Sequence, residues 1–392
     1  MEKWKLVLII IGALIAFGGG FIWINSRPIS KARASAEIQK LIDREVAKSN
    51  TVTQGLVLVE SGVKDYRGSF ASGDGELKQI DTKQSFHVAS VGKAFTAALI
   101  GILVDQGNLK FNDLIVNFLD DDLLGNLFVY NGVDYKDDVT VSQLLSHTSG
   151  VADYFEDPVV GSKSIAELVI EEPDHLWTPI ELIEFSKKHQ SSLGKPGEIF
   201  HYSDTGYILL GLIIEKVAGQ EFHKELHQKI LEPLKMRDTY LAFYSEPEQE
   251  KSPIADIWFN GAEISRYNSV SIDWAGGGII STLDDLAIFV RELNSYTLVS
   301  ETVLNRMHKF NNEFTKGIYY GLGFMEFHFT DFFPTLSFLP ALKGHMGVLG
   351  TQMLYDKDTD TVYVCSFGST DYAAGSVKTM IKVLSYVYRI KN

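Results

Sequence analysis

In the stretch FHVASVGKAF, Ser90 stands three residues before Lys93. On a helix, positions i and i+3 share a face, so the amine can reach the hydroxyl. Residues 94–104 carry no charge, so the lysine heads a helix expected to be buried. Burial and the positive end of that helix both disfavour the ammonium form. A neutral lysine beside a serine can take its proton and make a nucleophile. The same helix terminus offers N–H groups that suit an oxyanion. Ser-x-x-Lys also arises by chance, so it needs company.

Two further stretches supply it. In KPGEIFHYSDTGY, Tyr202 precedes an apolar helix. A tyrosine beside a cation can sit partly as phenolate and shuttle a proton to a leaving group. In KGHMGVLG, residues 343–350, glycines interrupt an expected strand and permit close approach of a ligand or another backbone. A strand placed beside the nucleophile can give the second N–H of an oxyanion hole.

Ser90-x-x-Lys93, Tyr202-Ser203-Asp204 and His345-x-Gly347 resemble, in order and spacing, the serine β-lactamase and penicillin-binding superfamily. The chain looks most like the branch that holds class C β-lactamases, D-alanyl-D-alanine carboxypeptidases and related esterases. LLSHTSG (144–150), ILEPLKMRDT (230–239), WAGGGIISTLDDL (274–286) and YGLGF (320–324) add to the resemblance, which covers about residues 35–390. It implies a Ser90 acyl-enzyme, with Lys93 and Tyr202 sharing acid and base work. It implies an oxyanion hole from the N–H groups of Ser90 and Val348, and substrate contacts from His345 and Gly347. His345 stands where a lysine is usual. No metal or other cofactor is implied.

Two positions depart from that pattern. Asp204 replaces an asparagine whose amide donates to substrate, and an ionised carboxylate cannot donate. It would attract Lys93 as an ammonium, or receive a substrate amine. Met346 replaces a hydroxyl residue that helps to hold a substrate carboxylate. These changes favour an esterase or an aminopeptidase-like activity, with a cell-wall D-amino-acid peptide or ester as substrate. A true class C-type β-lactamase and a non-catalytic penicillin-binding sensor are the alternatives.

The elements that must hold these residues are readable from periodicity. Residues 36–49 have apolar positions at helical spacing, and 51–62 and 63–77 read as two strands. Residues 108–265 read as mainly helical, with entries at Thr140 and at Thr178-Pro179. The tail returns to strands and closes with a helix over 374–390. The expected fold is therefore α/β (α+β). An antiparallel sheet from the N- and C-terminal segments is flanked by helices, with a helical lobe inserted over 108–265. The catalytic domain is expected over 36–392, after a linker at 26–35.

The chain has 392 residues and a net charge of −14. No basic cluster marks a nucleic-acid surface, and a monomer acting on a small molecule or peptide is expected. With Cys365 alone, neither an intrachain disulfide nor a cysteine-based zinc cluster can form. His223 and His227, in HKELH, read as a solvated helix face. Residues 6–24 are nineteen uncharged, mostly apolar residues, with Trp4 and Trp23 at the two ends. At about 1.5 Å per residue they nearly span a bilayer core of about 30 Å. A membrane anchor over 1–25, with the domain outside the cytoplasmic membrane, is the expectation. A signal cleaved near Ala16-Phe17-Gly18 is its rival.

Overall fold

The computed structural model describes residues 27–73, 80–248 and 253–391. The anchor expected over 1–25 lies outside the described residues. Among the described residues, no helix is long and apolar enough to cross a membrane.

Helix α1 (Lys31–Val46) leads into strands β1 (Gln54–Ser61) and β2 (Tyr66–Gly73). Helices α2 (Gly92–Asp105) and α3 (Asp204–Ala218) lie in the middle of the chain, and α4 (Leu283–Asn294) follows. Then come β3 (Asn312–Thr315), β4 (Ile318–Tyr320), β5 (Met325–Phe327), β6 (Leu342–Gly347), β7 (Thr351–Asp356) and β8 (Thr361–Ser366), and helix α5 (Ala373–Tyr388). The strands form one antiparallel sheet in the order β3-β4-β5-β6-β7-β8-β1-β2. The N-terminal hairpin thus joins the C-terminal strands through β1 and β8, with Leu56 opposite Ser366 and Ser61 opposite Thr361. This is the mixed α/β architecture expected.

Strand period two sorts the core into layers. Val57, Val59, Tyr363 and Cys365 face one way and meet Ile38, Ile42, Val377 and Leu384 of α1 and α5. Leu56, Leu58, Val362 and Val364 face the other way, toward α4 and the helical segments between β2 and β3. Cys365 is buried within the first layer.

Several helix entries have the chemistry that starts a helix. Thr140, Ser164 and Thr178 each accept from the N–H three residues on, and a Gln or Glu there accepts from the cap in return. Pro179 sits at the first turn, where no N–H is needed. Gly107, φ +74°, stands two residues beyond the end of α2. The 222–234 stretch is not one smooth α-helix: residues His227–Leu231 take π geometry. Within WAGGGIISTLDDL, Ile279–Ser281 forms a short strand of a separate small sheet with Phe86–His87 and Tyr240–Leu241. Within that small sheet, Phe86 pairs with Ser281 and carries the chain directly into the nucleophile turn.

Candidate active site

Ser90 sits in a 3-10 turn, Ala89–Val91, that runs straight into α2. The residue before it, Ala89, has φ +49°. A non-glycine in that region stores strain of about 1 to 3 kcal/mol and turns the following side chain outward. Gly92, on α2, abuts Gly277: a Cβ at Gly92 would lie 2.8 Å from the Gly277 Cα. The glycines of WAGGG are therefore there to let the Trp274–Gly277 helix press against the nucleophile turn.

Lys93 is fully buried, as the apolar segment predicted. Its Nζ lies 3.2 Å from Ser90 Oγ and 2.9 Å from the Gly276 carbonyl, and it is in direct contact with Asp204 Oδ1. Three acceptors match the three donors of an ammonium. The resting lysine is therefore a satisfied cation with a carboxylate partner, rather than the neutral amine expected from burial alone. The ammonium also lies 5.1 Å from the centre of the Tyr202 ring and 5.3 Å from that of Tyr207.

Tyr202 is hydrogen-bonded to Ser90. Burial, reinforced by the Asp204 charge, pushes its phenol well above the usual range. The partial phenolate expected from a nearby cation is thus corrected: Tyr202 holds its proton and serves as a donor. The HTSG turn positions it. His147, at φ +57°, stacks on the Tyr202 ring at 4.1 Å, and its Nδ1 accepts from the Ser203 N–H at 3.0 Å. His201 N donates to the His147 carbonyl at 2.8 Å.

Asp204 begins α3, and its N–H donates to Asp153 Oδ1 at 3.0 Å, so a buried carboxylate caps this helix from a distant loop. Strand β6 passes beside the nucleophile. A Cβ at Gly347 would stand 2.9 Å from the Val88 carbonyl oxygen and 3.2 Å from Ser90 N, so only glycine allows this approach. Gly347 and Val348 both line the cavity at Ser90. His345 does not. It has no exposed surface, its Nδ1 donates to the Met346 carbonyl at 2.7 Å, and its Nε2 accepts from Tyr320 Oη at 2.9 Å. Burial, with Lys93 nearby, holds its pKa down to about 3. The direct substrate contact expected of His345 is replaced by a supporting one, beneath Tyr320 and the tyrosine cluster.

The cavity over Ser90 has a volume of about 440 Å3. Its walls are mostly apolar, with Phe155 against Phe259 and Phe314 near both Phe200 and Tyr202. Asp204, Asp273, Glu156 and Glu313 line it, and no lysine or arginine does among the described residues. Asp153 and Asp273, brought in from distant segments, carried no sequence signal; His87 and Tyr320 lay within quoted stretches, where nothing marked their own part in the site.

Residues 38–375 match the protein-family profile described as Beta-lactamase. Protein flp of Staphylococcus aureus (strain N315) is 28% identical over 205 residues, which is 52% of this chain. The match spans 37% of that protein, just over a third of its length. Among solved structures, a D-stereospecific amidohydrolase from Streptomyces sp. superposes with a TM-score of 0.73 at 27% identity, covering 89% of this chain and 98% of its own. The D-amino acid amidase from Ochrobactrum anthropi SV3 shares the fold, with a TM-score of 0.71 at 22% identity over 88% and 99%.

Proposed function

We propose a mechanism and a substrate class on one premise: this chain belongs to the beta-lactamase family and is a serine hydrolase. Ser90 is the acylated nucleophile. The observation that carries this is the Ser90 Oγ to Lys93 Nζ separation of 3.2 Å, with Tyr202 bonded to the same serine at the floor of an apolar cavity.

Lys93 passes one proton to Asp204 and takes the proton of Ser90 as Oγ bonds to the carbonyl carbon. The direct Lys93–Asp204 contact gives that proton a short path, which frees the amine to act as the base. The N–H groups of Ser90 and Val348 receive the developing oxyanion. Tyr202, kept as a phenol, gives its proton to the leaving nitrogen or oxygen. Lys93 refills the phenol and recovers its own proton from Asp204. Water then attacks the ester by the same route and frees Ser90.

The substrate is an amide or ester with an apolar acyl group and no carboxylate beside the scissile bond. A carboxylate would need a cation or a hydroxyl, and among the described residues the only hydroxyls on the cavity wall are those of Ser90 and Tyr202. D-amino-acid amides and esters fit this description, and the names of the two structural relatives point the same way. Residues 6–24 are proposed to tether the domain outside the cytoplasmic membrane. Release of the intact chain from membranes by salt alone would refute that.

The test of the site uses a fluorophosphonate probe, a fluorescent penicillin and D-phenylalanine p-nitroanilide. Wild type should label with the fluorophosphonate, turn over the anilide and label poorly with the penicillin. Ser90→Ala should lose all three. Fluorophosphonate labelling retained by Ser90→Ala would overturn the assignment of the nucleophile.

A further inference from the structure

Asp273 ends the 3-10 turn Asn268–Asp273 and precedes Trp274, whose backbone takes φ +28° and ψ −117°. A bulky residue held there is strained, and strain of this kind persists where a site requires a set direction. Asp273 stands at the N-cap of the Trp274–Gly277 helix yet makes no cap hydrogen bond. Its side chain is 27% exposed, and it lines the cavity. The carboxylate makes no hydrogen bond among the described residues. Its near neighbour is His87 Nε2, 3.8 Å away.

His87 gives a second, independent sign. Its side chain is 2% exposed, and its Nδ1 accepts from the Ala89 N–H at 3.1 Å. The ring proton therefore sits on Nε2, and that buried Nε2 has no hydrogen-bond partner. A donor and an acceptor thus face each other beyond bonding distance at the cavity wall, two residues from the nucleophile turn. Burial holds His87 neutral, down to about 4, so it is no countercharge. The Lys93 ammonium is already engaged by Asp204, Gly276 and Ser90.

We infer that Asp273, beside His87 at the cavity wall, is the specificity residue that receives the ammonium group of the substrate. The group is the free α-amine of an amino-acid amide or ester. This rests on the reading that Ser90 is acylated. The amine role suggested for Asp204 by its sequence position passes to Asp273, because Lys93 occupies Asp204. A substrate without the amine leaves the Asp273 carboxylate desolvated and unpaired, which is how a buried polar group rejects an analogue. Burial, then the Asp204 charge, pushes Asp273 up to about 7, with Lys93 opposing. Tyr154 also feels its charge. An arriving cation favours the ionised form.

The experiment compares D-phenylalanine p-nitroanilide with its N-acetyl derivative, in wild type and Asp273→Asn. In wild type the free amine should be preferred at least about tenfold in kcat/KM. In Asp273→Asn the ratio should fall toward one, mainly through KM. A ratio unchanged by the substitution, or an equal loss on both substrates, overturns the assignment and leaves a water between His87 and Asp273. A second measurement needs no variant. 2-Phenylethylamine, charged across the range, should inhibit wild type about tenfold better at pH 8 than at pH 6, as Asp273 ionises through about 7. Equal inhibition at both pH values that is also unchanged in Asp273→Asn overturns the proposal. Fluorophosphonate labelling of Ser90 in the same samples separates this failure from failure of the nucleophile assignment.

Discussion

A lysine without exposed surface is tolerated only with a partner, and Asp204 is that partner. Removing one member of a buried ion pair strands the other charge, at a cost of about 3 to 5 kcal/mol. Asp204→Asn should therefore lower the melting temperature clearly and slow acylation by about a hundredfold or more, since the proton route loses its end. Adding Lys93→Met to Asp204→Asn should restore much of the lost stability while leaving the chain inactive. Thermal melts of the two variants decide this. A double variant no more stable than the single one would show that the pair does not act as a unit. Asp204 was legible as unusual because it breaks a local pattern. Its role was not, because the Lys93 contact spans 111 residues of sequence.

At the scale of elements, the close approach of β6 to the nucleophile turn is the feature the chemistry depends on. Gly347→Ala places a methyl group against the Val88 carbonyl and Ser90 N. The strand or the turn must then shift by a few tenths of an ångström, at about 1 to 3 kcal/mol. Fluorophosphonate labelling of Ser90 should slow at least about tenfold, with the helix content by circular dichroism unchanged. Labelling at the wild-type rate would mean that the oxyanion site does not depend on this contact. The elements themselves were largely readable. Caps at Thr140 and Thr178, the charge-free run 94–104 within α2 and the short apolar runs of β1 and β8 are local signals. Asp273 was hidden for the opposite reason. Its direction is set by Trp274 at positive φ, a position where sequence rules expect glycine. His345 was misplaced because β6 approaches edge-on: Met346 and Gly347 reach the cavity while the ring turns under Tyr320.

The whole molecule holds buried titratable groups of both kinds, and their balance sets how stability responds to acid. His87 is held down to about 4, and His308 and His345 to about 3. Unfolded, each would bind a proton near its ordinary 6.5. Between about pH 6.5 and 4 the unfolded chain thus binds more protons at these sites, and stability falls as pH falls. Asp273 and Asp285 are pushed up, to about 7 and about 6, mainly by burial. There the folded chain binds more protons between about pH 4 and 6, so these two groups add stability as pH falls through the same window. Three histidines against two carboxyls leave a net of about one proton near pH 5. These five groups then contribute a shallow slope, a loss of about 1.4 kcal/mol per unit of acidification. Asp285 Oδ2 accepts from Thr239 Oγ1 at 2.7 Å and from the Asp238 N–H at 3.2 Å, and an asparagine oxygen in that place can accept both. Asp285→Asn removes one of the two opposing carboxyls, so the net of this set rises to about two protons and the slope should steepen by about 1.4 kcal/mol per pH unit. Denaturant unfolding of wild type and Asp285→Asn at pH 6, 5 and 4 measures both slopes. Equal slopes in the two proteins, or a wild type that gains stability between pH 6 and 4, would show that the buried histidines are not the groups that make this chain sensitive to acid.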